Sequence, residues 1–288
     1  MTPTTKRTVH TLPMLAGDGG EFAAEVRGLD LATDLPDAEI AWIAATLSER
    51  AVVLFRDQNL SADALDRFAK RFGHPQQHVL EKYRHPHIPE ISFVTNLEAD
   101  RTIDTFGVKR ATFWHTDATY EAKLPRLAML HALQVPRTGG GTLFADMRAA
   151  WDELPDTLRA RLENATGLHR FNVGPSGGAQ MYSGQAGTDQ AFEDQHHPAM
   201  AIHPTSGRAI LFVNPAHTHG FEGIEHAEGW ALVEELTDHA IQNQFVYQHQ
   251  WRVGDLLIWD ELATMHRGCG DSDPNEPRVL MRSIVFPP

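Results

Sequence analysis

The segment FWHTDATY, residues 113–120, places His115 and Asp117 two positions apart, among aromatic and small polar residues. If this segment is extended, residues i and i+2 point to the same side. A ring nitrogen and a carboxylate oxygen would then be directed at one point, which is typical of two metal ligands. A helix N-cap or a surface salt bridge remains an alternative, and a metal site needs a third ligand.

The best candidate for the third ligand is His266, in the segment GDLLIWDELATMHRGCG. It follows the strand-like run DLLIWD and precedes a glycine-rich turn, as a residue at the end of a strand would. Two histidines and one carboxylate leave open coordination positions, which is the ligand set of non-haem Fe(II) oxygenases. A structural zinc site would close its tetrahedron, typically with cysteines, and the chain has only Cys269.

Arg278 and Arg282 lie four positions apart in the strand-like C-terminal run RVLMRSIVF, so both would face the same side of a strand. Guanidinium groups directed into an apolar interior are costly without anionic partners. Their planar fork matches a carboxylate or a sulfonate. A five-carbon dicarboxylic keto acid and an anionic substrate would supply such partners.

The composition limits the possible partners and the compartment. The 288 residues carry a formal net charge of −13 and no basic run, which argues against nucleic acid as a partner. No apolar run approaches the roughly 20 residues that span a bilayer, and the N-terminus has no adequate apolar stretch for a secretory signal. The single cysteine, Cys269, excludes an internal disulfide and favours a cytoplasmic location.

Seventeen histidines direct attention to imidazole and carboxylate metal chemistry. Four of them, His74, His78, His85 and His87, cluster in a proline-rich segment. We interpret this cluster as surface or loop histidines and not as a second metal site.

Hydrophobic periodicity predicts helices in residues 35–50, 60–73, 146–164 (with a break at Pro155) and 225–242. Ser61 would cap the second helix and Gly73 would end it. Short β-like runs lie between the helices without regular βαβ alternation, which favours a mainly β fold with added helices, a jelly roll (double-stranded β-helix). Residues 1–288 would form a single domain, and residues 171–200 a mobile loop or lid.

These residues and several further motifs resemble the taurine dioxygenase and 2,4-dichlorophenoxyacetate dioxygenase family of Fe(II)/2-oxoglutarate-dependent oxygenases. The matching pieces include AVVLFRDQNLS, WHTDATY, VPRTGGGTLFADMRAAWDELP, HPTSGRAILFVN, WRVGDLLIWD and MHRG, in the family's order from about residue 20 to the C-terminus. The resemblance implies the jelly-roll fold, the cofactor Fe(II), the cosubstrates 2-oxoglutarate and O2, and a homo-oligomer.

Carried over position by position, the resemblance makes His115, Asp117 and His266 the iron ligands. It also implies that Thr142 and Arg278 bind the 2-oxoglutarate carboxylate. The aspartate at position 117 favours hydroxylation, because related halogenases lack this carboxylate.

The resemblance places Arg282 between 2-oxoglutarate and the substrate anion, and it places His78 and Asn96 near positions that contact substrate. One departure from the pattern stands out. After the motif WD, the family usually has Asn-Arg, whereas this chain has Glu261 and Leu262.

We therefore expect a dioxygenase that hydroxylates a small organic anion (an aryloxyalkanoate, a sulfonate or an amino-acid-like compound), with C–O or C–S fragmentation where a heteroatom is adjacent, giving succinate and CO2. Two alternatives stay open. One is a non-catalytic metal-binding jelly roll that senses a small acid, and the other is a family member that carries out desaturation or another oxidation in biosynthesis.

Overall fold

The computed structural model describes residues 7–17, 20–78, 80–109, 111–171, 173 and 193–288. Most of the loop predicted for residues 171–200 lies outside the described residues. The strands are β1 (Thr8–Thr11), β2 (Ala23–Arg27), β3 (Val52–Phe55), β4 (His74–Pro75), β5 (Ser92–Thr95), β6 (Leu127–Gln134), β7 (Thr142–Asp146), β8 (Thr166–His169), β9 (Gln195–Pro198), β10 (Met200–Ile202), β11 (Ala209–Leu211), β12 (Thr218–Phe221), β13 (Val246–His249), β14 (Leu256–Asp260), β15 (Thr264–Gly268) and β16 (Val279–Phe286). The α-helices are α1 (Asp37–Arg50), α2 (Ala62–Ala69), α3 (Thr105–Lys109), α4 (Met147–Asp152), α5 (Asp156–Leu162) and α6 (His226–Ala240).

The largest sheet has the strand order β1-β2-β3-β14-β6-β16-β4, and β5 also pairs with β16. Its pairs are antiparallel except for β2 and β3. A second sheet has the order β13-β7-β15. Two further sheets, β12-β8-β9 and β10-β11, are separate from these two main sheets.

Side-chain alternation along the strands explains how the two main sheets pack. On β14, Leu257 and Trp259 belong to a buried cluster that also contains Phe144 of β7 and Tyr247 of β13. This shared cluster places the two sheets face to face, as in a double-stranded β-helix. The prediction of a mainly β fold with added helices is confirmed.

The outer faces of both sheets are covered by helices. The alternate residues of the large sheet, such as Val53 and Ile258, share a core with α1 and α2. The alternate residues of the second main sheet, β13-β7-β15, such as Ala145 and Met265, share another core with α4, α5 and α6. Since successive strand residues point to opposite faces, the neighbour of Met265, which is His266, faces the interior between the sheets.

The predicted helices are present, with one wrong boundary. Ser61 caps α2, because its hydroxyl oxygen accepts the backbone N–H of Ala64 at 3.2 Å. The helix ends at Ala69, before Gly73, so the prediction that Gly73 ends it is wrong. Pro155 separates α4 from α5 as expected, since proline is well suited to the start of a helix.

Three other local predictions are corrected by the structure. Residues 195–198 and 200 belong to β9 and β10, so the end of the predicted loop 171–200 is strand. His266 lies within a strand of its own, β15, and not at the end of β14. The segment around His115 forms a single β-bridge followed by a turn, so it is not a continuous strand.

Of the described helices, none combines the length and the apolar character that a bilayer crossing requires.

A buried ionic network closes the loop between β13 and β14. One carboxylate oxygen of Asp255 accepts hydrogen bonds from Arg56 Nη1 at 2.7 Å, from the backbone N–H of Arg252 at 2.8 Å and from His249 Nε2 at 3.1 Å. These partners outweigh burial, which by itself would raise the pKa of Asp255, and hold that pKa below its ordinary value of 3.8. The network ties β3 to the loop that enters β14.

We expect Asp255→Asn to lower the free energy of unfolding at pH 7 by about 3 kcal/mol, because it removes the buried charge that the partly buried Arg56 and the buried His249 both contact. Urea unfolding measures this change. The depressed pKa means that the carboxylate stabilises the fold above pH 3.8 and loses this effect as the pH falls further. The difference in free energy of unfolding between the wild type and Asp255→Asn should therefore become smaller below pH 3.8.

The matched control is Asp152→Asn, which removes the exposed ion pair with Arg208 and should cost less than about 1 kcal/mol. Equal losses in the two variants would contradict the structural role given to Asp255.

Candidate active site

Strand β15 presents His266 to the interior between the two main sheets. The imidazole stacks on Phe144 of β7, with ring centroids 5.9 Å apart and planes at 24°. On the opposite sheet, the ring of Trp259 lies 4.9 Å from it. His266 is therefore held between aromatic side chains of both sheets.

A β-bridge joins His266 to His115. The backbone N–H of His115 donates to the carbonyl of His266 at 2.9 Å, and the reverse bond measures 2.8 Å. A pair that exchanges both hydrogen bonds lies directly opposite across an antiparallel ladder. The two imidazole centroids are 4.2 Å apart as a result.

Asp117 reaches the same point from the turn after this bridge. The hydroxyl of Thr116 donates to the carbonyl of Thr264 at 3.0 Å, and the backbone N–H of Asp117 donates to Oε2 of Glu261 at 3.1 Å. The next residue, Ala118, has φ +56°, in the left-handed region that turns the chain away. Two contacts from the segment after β14 thus fix the position of the carboxylate.

The three predicted metal ligands converge. Their potential ligand atoms lie within 4.8 Å of one another, and Nε2 of His115 is 3.9 Å from Oδ1 of Asp117. Nδ1 of His115 lies 2.9 Å from the carbonyl oxygen of Phe113. Since a carbonyl only accepts, Nδ1 carries the proton, and Nε2 keeps a lone pair for a cation.

The protonation states of these groups suit cation binding. Burial lowers the pKa of His115 and lowers that of His266 well below 6.5, so both rings are neutral at pH 7. Nδ1 of His266 is buried and has no hydrogen-bond partner among the described residues. Two neutral imidazoles, one with an unsatisfied buried nitrogen, match the donor requirements of a divalent metal.

Asp117 is ionised because of its charged neighbours. Burial would raise its pKa, but the guanidinium of Arg282, with Nη1 3.4 Å from Oδ2, and the nearby imidazoles hold that pKa well below its usual range. Burial and the charge of Asp117 raise the pKa of Glu261 well above its usual range. The two neighbouring carboxyl groups therefore differ: the charged surroundings favour the ionised form of Asp117, and burial beside that anion disfavours ionisation of Glu261.

A cavity opens beside this triad. His115, Asp117 and two further predicted site residues, His78 and Arg282, line it. The structure thus places Arg282 and His78 in the same cavity as two of the predicted metal ligands.

Sequence reasoning missed three residues of this cavity: Tyr120, Phe171 and His217. The ring of Tyr120 lies 4.7 Å from Phe171 and 4.9 Å from His217, so they form one aromatic wall. Burial lowers the pKa of His217 to about 3, and its Nδ1 has no hydrogen-bond partner among the described residues. The histidine content was the only signal in the sequence for such a residue.

A smaller cavity, with about 480 Å³ of empty space, holds Arg278 and Asn96. Val94 borders both cavities, so they are neighbours. Nε of Arg278 donates to the carbonyl of Gly140 at 3.0 Å. Thr142, two residues after Gly140, is buried at the start of β7.

Asn96 is engaged in holding the loop before Arg278. Its Oδ1 accepts the backbone N–H of Arg278 at 2.8 Å, and its Nδ2 donates to the carbonyls of Pro274 and Glu276 at 3.1 and 2.8 Å. Asn96 and His78 line different cavities. The hydrogen bonds of Asn96 position the backbone of Arg278, and its contact with substrate stays a prediction.

Comparison with known proteins agrees with this geometry. The sequence profile described as "Taurine catabolism dioxygenase TauD, TfdA family" matches residues 12–284. The chain belongs to this family. The matched range contains every predicted site residue, from His78 to Arg282.

Individual members of the TauD/TfdA family are similar over nearly the full chain. The α-ketoglutarate-dependent 2,4-dichlorophenoxyacetate dioxygenase of Cupriavidus pinatubonensis is 34% identical, over 86% of this chain and 88% of that protein. The (S)-phenoxypropionate/α-ketoglutarate-dioxygenase of Delftia acidovorans is 32% identical, over 96% and 95%. The crystal structure of AAD-2 in complex with Mn(II) and N-oxalylglycine superposes with a TM-score of 0.82 and 26% identity, over 98% of this chain and 97% of that one.

Glu261, one of the two residues at which the chain departs from the family motif, directly contacts the candidate metal ligand Asp117. Glu261 is fully buried, and its carboxyl oxygen accepts the N–H of Asp117. The sequence marked the position as unusual but gave no reason to place it beside a metal ligand, since the two residues are far apart in the chain. Only the bridge between His115 and His266 brings them together.

We expect His115→Ala and His266→Ala to weaken Mn(II) binding by more than about 100-fold, since loss of a direct ligand exceeds the 10- to 100-fold effect of losing an outer partner. Titration calorimetry under nitrogen measures the affinity. His87→Ala, which removes an exposed histidine of the 74–87 cluster, is the control and should bind Mn(II) like the wild type. Unchanged affinity in His115→Ala would rule out this metal position.

Proposed function

We propose that the protein is a Fe(II)- and 2-oxoglutarate-dependent dioxygenase that hydroxylates small aryloxyalkanoate anions. The observation that carries the proposal is the convergence of His115, Asp117 and His266 within 4.8 Å beside a cavity that contains an arginine. Membership of the TauD/TfdA family supports the same activity.

The three residues would hold Fe(II) as a two-histidine, one-carboxylate set with open positions. The iron, with 2-oxoglutarate and O2, supplies the oxidation of a C–H bond and the release of succinate and CO2. The chain contributes two neutral imidazoles, an ionised carboxylate and an interior that limits the access of water. The β-bridge between His115 and His266 keeps this ligand geometry in place before the metal binds.

Thr142 and Arg278 would bind the distal carboxylate of 2-oxoglutarate. Arg278 lies in the smaller cavity, next to the one that contains the triad. A guanidinium and a hydroxyl supply complementary charge and hydrogen bonds to a carboxylate. Arg282, which contacts Asp117, lies where it can face both 2-oxoglutarate and the substrate anion.

The larger cavity suits an aryl group joined to an anion. Arg282, His78 and the neutral His217 offer charge and hydrogen bonds, while Tyr120 and Phe171 form an aromatic wall. Edge and face contacts with a ring are worth about 0.5–1.5 kcal/mol beyond burial. The two relatives named above, which act on aryloxyalkanoates, support this substrate class over sulfonates and amino acids.

We further propose that the chain is a single domain that acts in the cytoplasm as a homo-oligomer, without nucleic acid or membrane partners. The shared cluster between the two main sheets supports the single domain. The single cysteine supports the cytoplasmic location, and the charge of −13 argues against nucleic acid as a partner. The homo-oligomer rests on the family resemblance alone.

Substrate-dependent succinate formation tests the activity. With Fe(II), ascorbate and 2-oxoglutarate, we expect succinate to form with aryloxyacetates or aryloxypropionates, and a phenol to appear in equal amount where the hydroxylated carbon bears the ether oxygen. Alkyl sulfonates and amino acids complete the panel, and His115→Ala is the inactive control. Turnover of sulfonates or amino acids alone would contradict the substrate class.

The main rival function is a non-catalytic sensor of a small acid. If the protein is such a sensor, the wild type will bind Mn(II) and 2-oxoglutarate but will form no succinate with any compound of the panel. The intact triad and both arginines favour the enzyme, since loss of a metal ligand would be the expected sign of a non-catalytic role.

We expect Phe171→Ala to raise KM for an aryloxyacetate about 2- to 10-fold, with a smaller change for a linear alkoxyacetate, because only the aryl group contacts the aromatic wall. Steady-state succinate assays measure both constants. Phe171→Leu keeps apolar volume and should lie between the wild type and Phe171→Ala. Equal increases in KM for both substrates would contradict aryl recognition by this wall.

A further inference from the structure

The hydroxyl of Thr142 accepts a hydrogen bond from a buried tryptophan. Nε1 of Trp251 lies 2.9 Å from Oγ1 of Thr142, and both side chains are nearly inaccessible to solvent. An indole N–H can only donate. The threonine oxygen must therefore be the acceptor in this bond, and the hydroxyl hydrogen of Thr142 is left to bond elsewhere.

In the described part of the chain, the hydrogen bonds of Thr142 include none in which its hydroxyl donates. A buried hydroxyl without an acceptor costs free energy. The neighbouring Gly141 and the cross-strand partner Gly268 both line the smaller cavity, together with Arg278. The unused donor is thus next to a space that already contains a cation suited to a carboxylate.

The register of the sheet β13-β7-β15 gives the separation along the strands between the level of Thr142 and that of His266. Thr142 pairs with Gly268, and Phe144 pairs with His266. Thr142 is therefore two residues along the same face from the level of His266, which corresponds to about 6.8 Å. This spacing is comparable with the length of a five-carbon dicarboxylic acid.

Trp251 is itself held in one orientation. Its ring meets the ring of His249 edge to face, with centroids 4.5 Å apart and planes at 87°. His249 is fixed on both nitrogens, by the hydroxyl of Tyr247 at 3.0 Å and by Asp255 at 3.1 Å. These contacts restrict rotation of the Trp251 side chain, so its indole N–H stays directed at Thr142.

We propose that Trp251 is a positioning residue that directs the Thr142 hydroxyl to donate to the distal carboxylate of 2-oxoglutarate. The inference rests on the proposed function. Trp251 occupies one lone pair of the threonine oxygen and thereby orients the O–H bond toward the cavity that holds Arg278. In its absence the hydroxyl rotates freely, and part of its hydrogen bond to the carboxylate is lost.

The test compares two cosubstrates on Mn(II)-loaded protein by calorimetry under nitrogen, so that no turnover is needed. We expect Trp251→Phe, which keeps a large ring but removes the N–H, to weaken 2-oxoglutarate binding about three- to tenfold. Binding of 2-oxopentanoate, which has the same chain length but no distal carboxylate, should stay within twofold of the wild type. Trp230→Phe, on α6, is the control and should change neither affinity.

A second set of variants separates positioning from a packing defect. Thr142→Val should weaken 2-oxoglutarate binding at least as much as Trp251→Phe, and the double variant should be no weaker than Thr142→Val alone. Thr142→Ser, which keeps the hydroxyl, should bind like the wild type. Melting temperatures of all variants are recorded alongside.

Three outcomes would overturn the inference while leaving the proposed function intact. They are unchanged 2-oxoglutarate binding in Trp251→Phe, equal weakening of both keto acids, or additive losses in the double variant. Failure of the wild type to bind 2-oxoglutarate at all would instead reject the proposed function, and the inference with it.

Discussion

The bridge between His115 and His266 is the contact on which the whole site depends. Two backbone hydrogen bonds of 2.9 and 2.8 Å join a loop residue to the middle of β15. These bonds are set by main-chain geometry, so the two imidazoles face each other whatever occupies the cavity. The bridge also carries the following turn, and with it Asp117, to the end of β14.

Burial controls the electrostatics of the site in two opposite ways. It lowers the pKa of the two histidines and would raise that of every carboxyl group nearby. Arg282 and the imidazoles overcome this effect at Asp117, whereas at Glu261 burial and the charge of Asp117 act together. The result is one anion between two neutral donors, which fits a divalent cation better than a set of two carboxylates would.

Strand β16 and the residue before it supply both arginines, yet the two serve different spaces. Arg282 lines the larger cavity with the triad and the aromatic wall, and Arg278 lines the smaller one. Val94 of β5, which pairs with β16, borders both. Each of the two neighbouring cavities therefore contains one guanidinium group.

Spacing, periodicity and family motifs were enough to predict the ligand types, the two arginines, the helices and most of the strands. They could not place Glu261 beside Asp117, show that Asn96 bonds to the backbone of Arg278, or reveal the wall of Tyr120, Phe171 and His217. These facts depend on which distant segments pair and in what register. Local patterns carry information on the neighbours along the chain and on the face a residue occupies, whereas contacts across the interior arise only when both sheets close over a common core.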